Sequence, residues 1–202
     1  MTYIKFMSVL LFFAIFSSCA KTSITSFKDP QITNDKLKRI LVIGTNLTLP
    51  SRQKLEERAV IKLSDNGITG ISSIELFLPT RSYTESEVLA ILEQNNIDAL
   101  LILELSDAYS QQVYIPESYS SSSKGTVVGN QVNINTTTYK HGGYYLNKPR
   151  VFFNLKLISA KNGSTLWIGN SKTAGNAFAD EDVLFDSLSE SAVKQLHQDG
   201  II

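Results

Sequence analysis

Thiols are almost absent from this chain: Cys19 is the only cysteine among 202 residues. No intrachain disulfide can form, and a thiolate metal site is excluded with it. Histidine is nearly as scarce. His141 and His197 have no partner at ligand spacing, so no metal centre is expected. Excess charge of either sign is missing too. The 19 basic and 19 acidic residues cancel, leaving no global field to favour nucleic acid. No G-x-S-x-G elbow, P-loop or dinucleotide fingerprint occurs. These absences lead us to expect no cofactor, no nucleic-acid partner and no enzymatic activity.

What is present begins at the N-terminus. Lys5 supplies a positive charge, Met7 to Phe16 form a nearly unbroken apolar stretch, and Ser17, Ser18, Cys19 and Ala20 follow with small side chains. That is the layout of a secretory signal, and the apolar run is shorter than the roughly 20 residues of a bilayer-spanning helix. Three readings of the junction stay open: acylation of Cys19 after cleavage, simple cleavage after Ala20, or an uncleaved segment in which Cys19 is incidental. Acylation is preferred, because the one cysteine stands where the small residues meet the apolar run, and several acyl chains then give a stable attachment. Residues 1–18 then form a lipoprotein signal peptide. The polar stretch 19–36, with Asp29 and Pro30, forms a lipid-anchored flexible tether. Residues 37–202 form one domain.

Within that domain, Arg39 to Gly44 read as a buried strand. Pro50 opens a helix with Leu55, Ala59 and Leu63 on one face, stopped by Asn66 and Gly67. Ile71 to Leu78 read as a second strand. Thr84 and Glu87 are spaced as a capping box before a second helix. Asp98 to Leu105 are the most apolar strand and are expected at the sheet centre. This βαβαβ half implies parallel strands with packed helices. In the second half Phe153, Leu155 and Leu157 alternate with polar residues, and Asn162-Gly163 signals a type I′ hairpin. Counted from that turn, Leu157 falls opposite Ile168 and Ile158 opposite Trp167. Asp180 caps a last helix lined by Phe185, Leu188, Ala192 and Leu196. The expected class is α/β, leaning to α+β: a mixed sheet with an antiparallel hairpin and a C-terminal helix.

The stretch from Tyr109 to Pro149 differs in composition. It holds Tyr109, Tyr114, Tyr119, Tyr139, Tyr144 and Tyr145, the run Ser120 to Ser123, and little charge. Val132 and Ile134 alternate with polar neighbours. We expect a protruding hairpin with one arm near Gln112 to Ile115, the other near Thr126 to Thr138, and a mobile Ser-rich tip. A long surface loop, a partner-binding surface carried by the six tyrosines, and a membrane-inserting hairpin in an oligomeric barrel are all compatible with it. The acids Asp180, Glu181 and Asp182 suit a helix start. Glu75, Glu104 and Asp107 would serve a glycosidase only if two of them converged across a cleft.

Four segments carry a resemblance: Ser17 to Cys19, with Phe16 where Leu or Val is usual; Arg39 to Gly44; Asn96 to Ile102; and Leu157 to Trp167. Together they resemble the periplasmic lipoproteins of the penicillin-binding-protein activator and curli-secretion channel type, although Ser159 stands where those have an acid. The resemblance spans most of the chain beyond the signal and implies non-enzymatic envelope work. Expected partners are a membrane, through the lipid, and another envelope protein. The alternatives are a homo-oligomeric outer-membrane secretion pore and a cell-wall or glycan-acting enzyme. Ala20 lacks the inner-membrane retention signal of an Asp after the cysteine, so a periplasm-facing site on the outer membrane is preferred.

Overall fold

The computed structural model describes residues 20–30, 37–128 and 131–202. The signal peptide, Cys19 and residues 31–36 of the expected tether lie outside these. Among the described residues eight strands and four helices follow in the order β1 (Ala20–Lys28), β2 (Arg39–Thr45), α1 (Leu49–Asp65), β3 (Thr69–Ser72), α2 (Ser73–Leu76), α3 (Glu85–Gln94), β4 (Ala99–Ile115), β5 (Ser118–Val128), β6 (Gln131–His141), β7 (Tyr144–Ser159), β8 (Thr165–Gly175) and α4 (Glu181–Gln198). Six strands form one mixed sheet in the order β1-β8-β7-β4-β2-β3, and β5 pairs with β6 in a separate ribbon.

The parallel part is β3-β2-β4, as the βαβαβ pattern implies. Thr48 caps α1, and the Thr84–Glu87 capping box forms as spaced, with the Thr84 N–H donating to Glu87 Oε2 at 2.7 Å. On one face of the sheet α1 and α4 cover Ile40, Val42, Leu101, Leu103, Phe153, Leu155, Leu157 and Trp167, all nearly inaccessible. On the other face the smaller cluster of Leu41, Leu92 and Ile97 is packed against by residues of α2 and α3 and reaches only the β2–β4 end.

Four expectations are corrected. Residues 20–28 are not a tether. They form β1, paired over all nine residues with β8, from Ala20 opposite Gly175 to Lys28 opposite Trp167. Its inward positions mix apolar and hydrogen-bonded side chains: Ala20 is buried and Ile24 packs on the core, while Thr22 Oγ1 lies 2.8 Å from Thr173 Oγ1 and 2.9 Å from Ser187 Oγ, and Ser26 donates to Asp199 Oδ2 at 2.7 Å. A run of Thr and Ser therefore reads as linker in sequence while completing an otherwise open ladder. The second strand is also shorter than expected, ending at Ser72. There the Glu56 carboxylate takes the hydroxyls of Ser72 and Ser73 at 2.6 and 2.7 Å, and the chain turns into α2.

The Asn162-Gly163 turn is not type I′. Only Gly163 takes positive φ, +70°, while the Asn162 side-chain oxygen accepts from the Ser164 N–H at 3.1 Å. A register shift between Leu157 and Ile158 places Leu157 opposite Trp167 and Ile158 opposite Thr165. Finally, the excursion is strand almost throughout. Gln112 to Ile115 pair with Tyr144 to Asn147, and the Ser run lies within β5 opposite Thr136 to Tyr139 rather than at a tip.

Candidate functional site

β4 and β7 run together past the body of the sheet. The last rung there is Tyr109 opposite Arg150, and pairing continues to Ile115 opposite Tyr144. Both strands then kink at Pro116 and at Gly142-Gly143, where φ is +85° and +75° and a side chain on Gly142 would run into the Pro116 carbonyl. Beyond the kink β5 and β6 form a ladder from Ser118 opposite His141 to Val128 opposite Gln131. Every residue of β6 is exposed.

The six tyrosines lie along this ribbon but not on one surface. Tyr114 and Tyr145 face each other across a rung, ring centroids 5.1 Å apart. By alternation Tyr109 and Tyr144 occupy the opposite face. Tyr109 stacks on Phe152 at 5.8 Å, and Lys172 lies 5.7 Å over the same Phe152 ring. Beyond the kink Tyr119 donates to Glu117 at 2.9 Å, and Lys140 lies 2.7 Å from the other Glu117 oxygen. These two partners, Lys140 first, hold the Glu117 carboxyl below its ordinary range. Tyr139 sits opposite Ser120, and His141 Nε2 is 3.4 Å from Ser120 Oγ. Hydroxyl pairs Ser121–Thr138 and Ser123–Thr136, at 3.1 and 2.9 Å, lie on the other face, that of Tyr119 and Lys140.

A second uncovered surface is the sheet face opposite α1 and α4. Its rows read Phe27–Ile168–Lys156–Ile102 and Thr25–Asn170–Asn154–Glu104 across four strands. Phe27 is 62% and Ile168 46% exposed. The composition is mixed, and the sequence gives no periodic warning of it, because strands covered on one face alternate whichever side is later covered.

The acids considered as catalysts are engaged otherwise. Glu104 accepts from Asn46 and Asn154 at 3.3 and 3.4 Å, and Asp107 accepts from the Ala108 N–H at 2.8 Å. Glu75 lies in the first turn of α2. Asp180 caps α4 through the Val183 N–H, while Lys54 and Arg58 face Glu181 and Asp182 at 3.6 to 4.0 Å. Sequence reasoning passed over one ionised group, Glu56, which is fully buried in α1. Burial pushes its carboxyl up, but Arg52, Ser72, the Gly44 N–H and Ser73 together hold it below the ordinary value. With every oxygen engaged it acts as a clamp between α1, β2 and α2. Its signal in the sequence was an acid on the same helical face as Leu55 and Ala59. Among the described residues no cluster of His, Cys, Asp and Glu could hold a metal, and no helix is long and apolar enough to cross a membrane.

An open groove of about 740 Å³ lies where β1 begins, beside α4, lined by Ala20, Thr22, Arg58, Asp182, Asp186 and Glu190. Cys19 immediately precedes Ala20 in sequence, so the candidate lipid attachment falls at this end of the sheet.

The architecture defines a class: a mixed α/β sheet closed by an N-terminal edge strand and a C-terminal helix, extended by a two-stranded ribbon. No protein-family model and no curated protein sequence matches the chain. Among solved structures it is similar to the PelC dodecamer from Paraburkholderia phytofirmans, at 14% identity over 87% of this chain and 96% of that one, with a TM-score of 0.51. A variant of the same dodecamer matches at 14% identity over 86% and 98%, TM-score 0.51. A looser match is lipoprotein GNA1162 from Neisseria meningitidis, at 15% identity over 80% and 99%, TM-score 0.43. At these identities the PelC likeness is one of fold.

Proposed function

We propose that this chain is a cell-envelope lipoprotein, held by acyl chains on Cys19, that performs no catalysis and docks another envelope protein. The ribbon is the observation that carries this reading. It has no core of its own, and an isolated two-stranded ribbon is at best marginal in water. Tyrosine, serine, threonine and asparagine dominate it, a composition suited to adaptable contacts. The signal-like N-terminus and the resemblance of Ser17 to Cys19 to a lipobox support the anchor, with the periplasmic side of the outer membrane as its preferred site. A photo-crosslinker in place of Tyr114 or Tyr144 should capture one specific protein in cells. If excising 117–140 leaves every contact and envelope phenotype intact, the docking reading is wrong.

The second reading is self-assembly, as a ring or secretion pore. The PelC structure with this fold is a dodecamer, and the bare sheet face with exposed Phe27 and Ile168 is available for copy-to-copy contact. A stable monomer from gently solubilised membranes would count against it. A glycan-acting enzyme would need two free carboxylates across a cleft, and the engaged states of Glu104, Asp107 and Asp182 support the non-catalytic reading instead.

A further inference from the structure

We infer that the outer ribbon, β5 and β6, is a second membrane-contact element, laid on the same leaflet that holds the acylated Cys19. The inference rests on the anchor proposed above, and its geometry comes from the register of the sheet. Ala20 is the first residue of β1, is 4% exposed and pairs with Gly175. A lipid on the preceding residue is therefore tied to a fixed point of the fold, about 3.8 Å from Cα to Cα, with no length of free chain between. Gly175 lies at the ribbon's root: its carbonyl accepts from the Arg150 guanidinium at 2.9 Å, Arg150 pairs with Ala174, and Arg150 pairs with Tyr109 across β4. Anchor and ribbon thus leave the sheet at the same end.

β5 and β6 continue from this end beyond the breaks at Pro116 and Gly142-Gly143, so the ribbon emerges beside the anchor. Lying along the headgroups is the posture left to it. That posture suits a two-stranded element, whose open edges prevent it from crossing hydrocarbon alone.

The two faces of the ribbon are unlike. On one face Tyr119 lies opposite Lys140, the hydroxyl pairs Ser121–Thr138 and Ser123–Thr136 follow, and Ile134 and Val132 lie toward the outer end; Tyr119, Ile134 and Val132 are 64%, 66% and 63% exposed. The opposite face presents Asn133, Asn135, Thr137, Tyr139 and His141. A tyrosine beside a lysine at the inner end and two aliphatic groups at the outer end match the boundary between headgroups and acyl chains. The Lys140 charge on this face is paired with Glu117 at 2.7 Å, while Lys124 lies opposite Asn135 on the polar face. The polar face remains free for protein.

The test uses the acylated full-length chain in vesicles of phosphatidylethanolamine and phosphatidylglycerol. Acylation converts the Cys19 sulfur to a thioether, so a cysteine introduced by Ile134→Cys, or separately by Asn135→Cys, is the only free thiol. Each is labelled with a nitrobenzoxadiazole dye, and the vesicles carry a spin label near the headgroup. Several-fold stronger quenching at position 134 than at 135 is expected, with a blue shift at 134 alone. Equal, weak quenching at both positions in chain whose mass shows the acyl groups overturns the inference and leaves the anchor standing. Dye self-quenching between copies without lipid quenching also overturns it, assigning the face to a second copy. Absence of acyl mass overturns the anchor and the inference together.

Discussion

Two carboxylates decide much of what single residues contribute. Glu56 has no accessible surface and receives Arg52 Nε at 2.8 Å, Arg52 in turn reaching Ser73 at 2.6 Å. Replacing it by Ala strands the Gly44 N–H, two hydroxyls and a guanidinium, so Glu56→Ala should lower stability by about 3–5 kcal/mol, the range for breaking one side of a buried pair. Its carboxyl lies below the 4.5 of an ordinary glutamate in the folded state. The corresponding stability is complete above that value and is lost as pH falls through the lower folded pKa. Urea midpoints measured at neutral pH and near pH 3 should therefore converge between wild type and Glu56→Gln. An equal gap at both would refute the linkage.

Asp199, the C-cap of α4, behaves alike. Partial burial pushes its carboxyl up, and hydrogen bonds from Ser26, Trp167 and Gln195, with the Lys28 charge, bring it below its usual value. Its Oδ2 accepts the indole N–H of the buried Trp167 at 2.6 Å. Asp199→Ala leaves that donor without its partner at a cost of about 1–3 kcal/mol, readable in the same denaturation series. Trp167→Phe removes donor and acceptor demand together, so adding Asp199→Ala to it should cost clearly less than in the wild-type background.

At the scale of elements, the ribbon and β1 make opposite predictions. Among the described side chains none of β5 or β6 belongs to either core cluster. Excising 117–140 and joining the ends with glycines should leave the melting temperature of the body unchanged; a large drop would mean that the ribbon supports the fold. Removing 20–28 uncovers the β8 edge and the hydroxyls of Thr173 and Ser187, and should lower the midpoint markedly, where trimming a tether would do nothing. These two segments also show what the sequence reveals. The βαβαβ half was legible because Leu55, Ala59 and Leu63, or the apolar run Ala99 to Leu103, signal burial by hydrophobicity alone. β1 was not, since only Ala20 and Ile24 of its inward positions are apolar and Thr22 and Ser26 between them are satisfied by hydrogen bonds, which leaves too weak a hydrophobic period. The excursion was legible as a hairpin but not in register, because serine and threonine on both faces specify pairing weakly. Of the candidate site, the six tyrosines were visible by composition. Their split between two faces follows from the odd spacings of Tyr109 and Tyr114 and of Tyr144 and Tyr145 once strands are assigned, and the break at Gly142 separates them from Tyr119 and Tyr139.

At the scale of the molecule, the exposed faces and the anchor bear on one question, whether copies of the chain meet. α1 and α4 cover one side of the sheet completely, while the other is covered only near β2 and β3. The remainder carries Phe27, Ile168 and Ile102 around Lys156, apolar side chains that a lone molecule would leave in water. A lipid fixed beside Ala20 would orient every copy alike on the leaflet, so that sideways contact through this face needs no further ordering of the subunits. The ring reading accordingly predicts that acylated chain extracted in mild detergent sediments as a closed assembly of many subunits. Phe27→Asp with Ile168→Asp should reduce it to monomers with no loss of melting temperature, because both side chains point away from the core. Monomers from the wild-type chain would end the ring reading, and an assembly indifferent to the two aspartates would move the contact from the bare face to the ribbon.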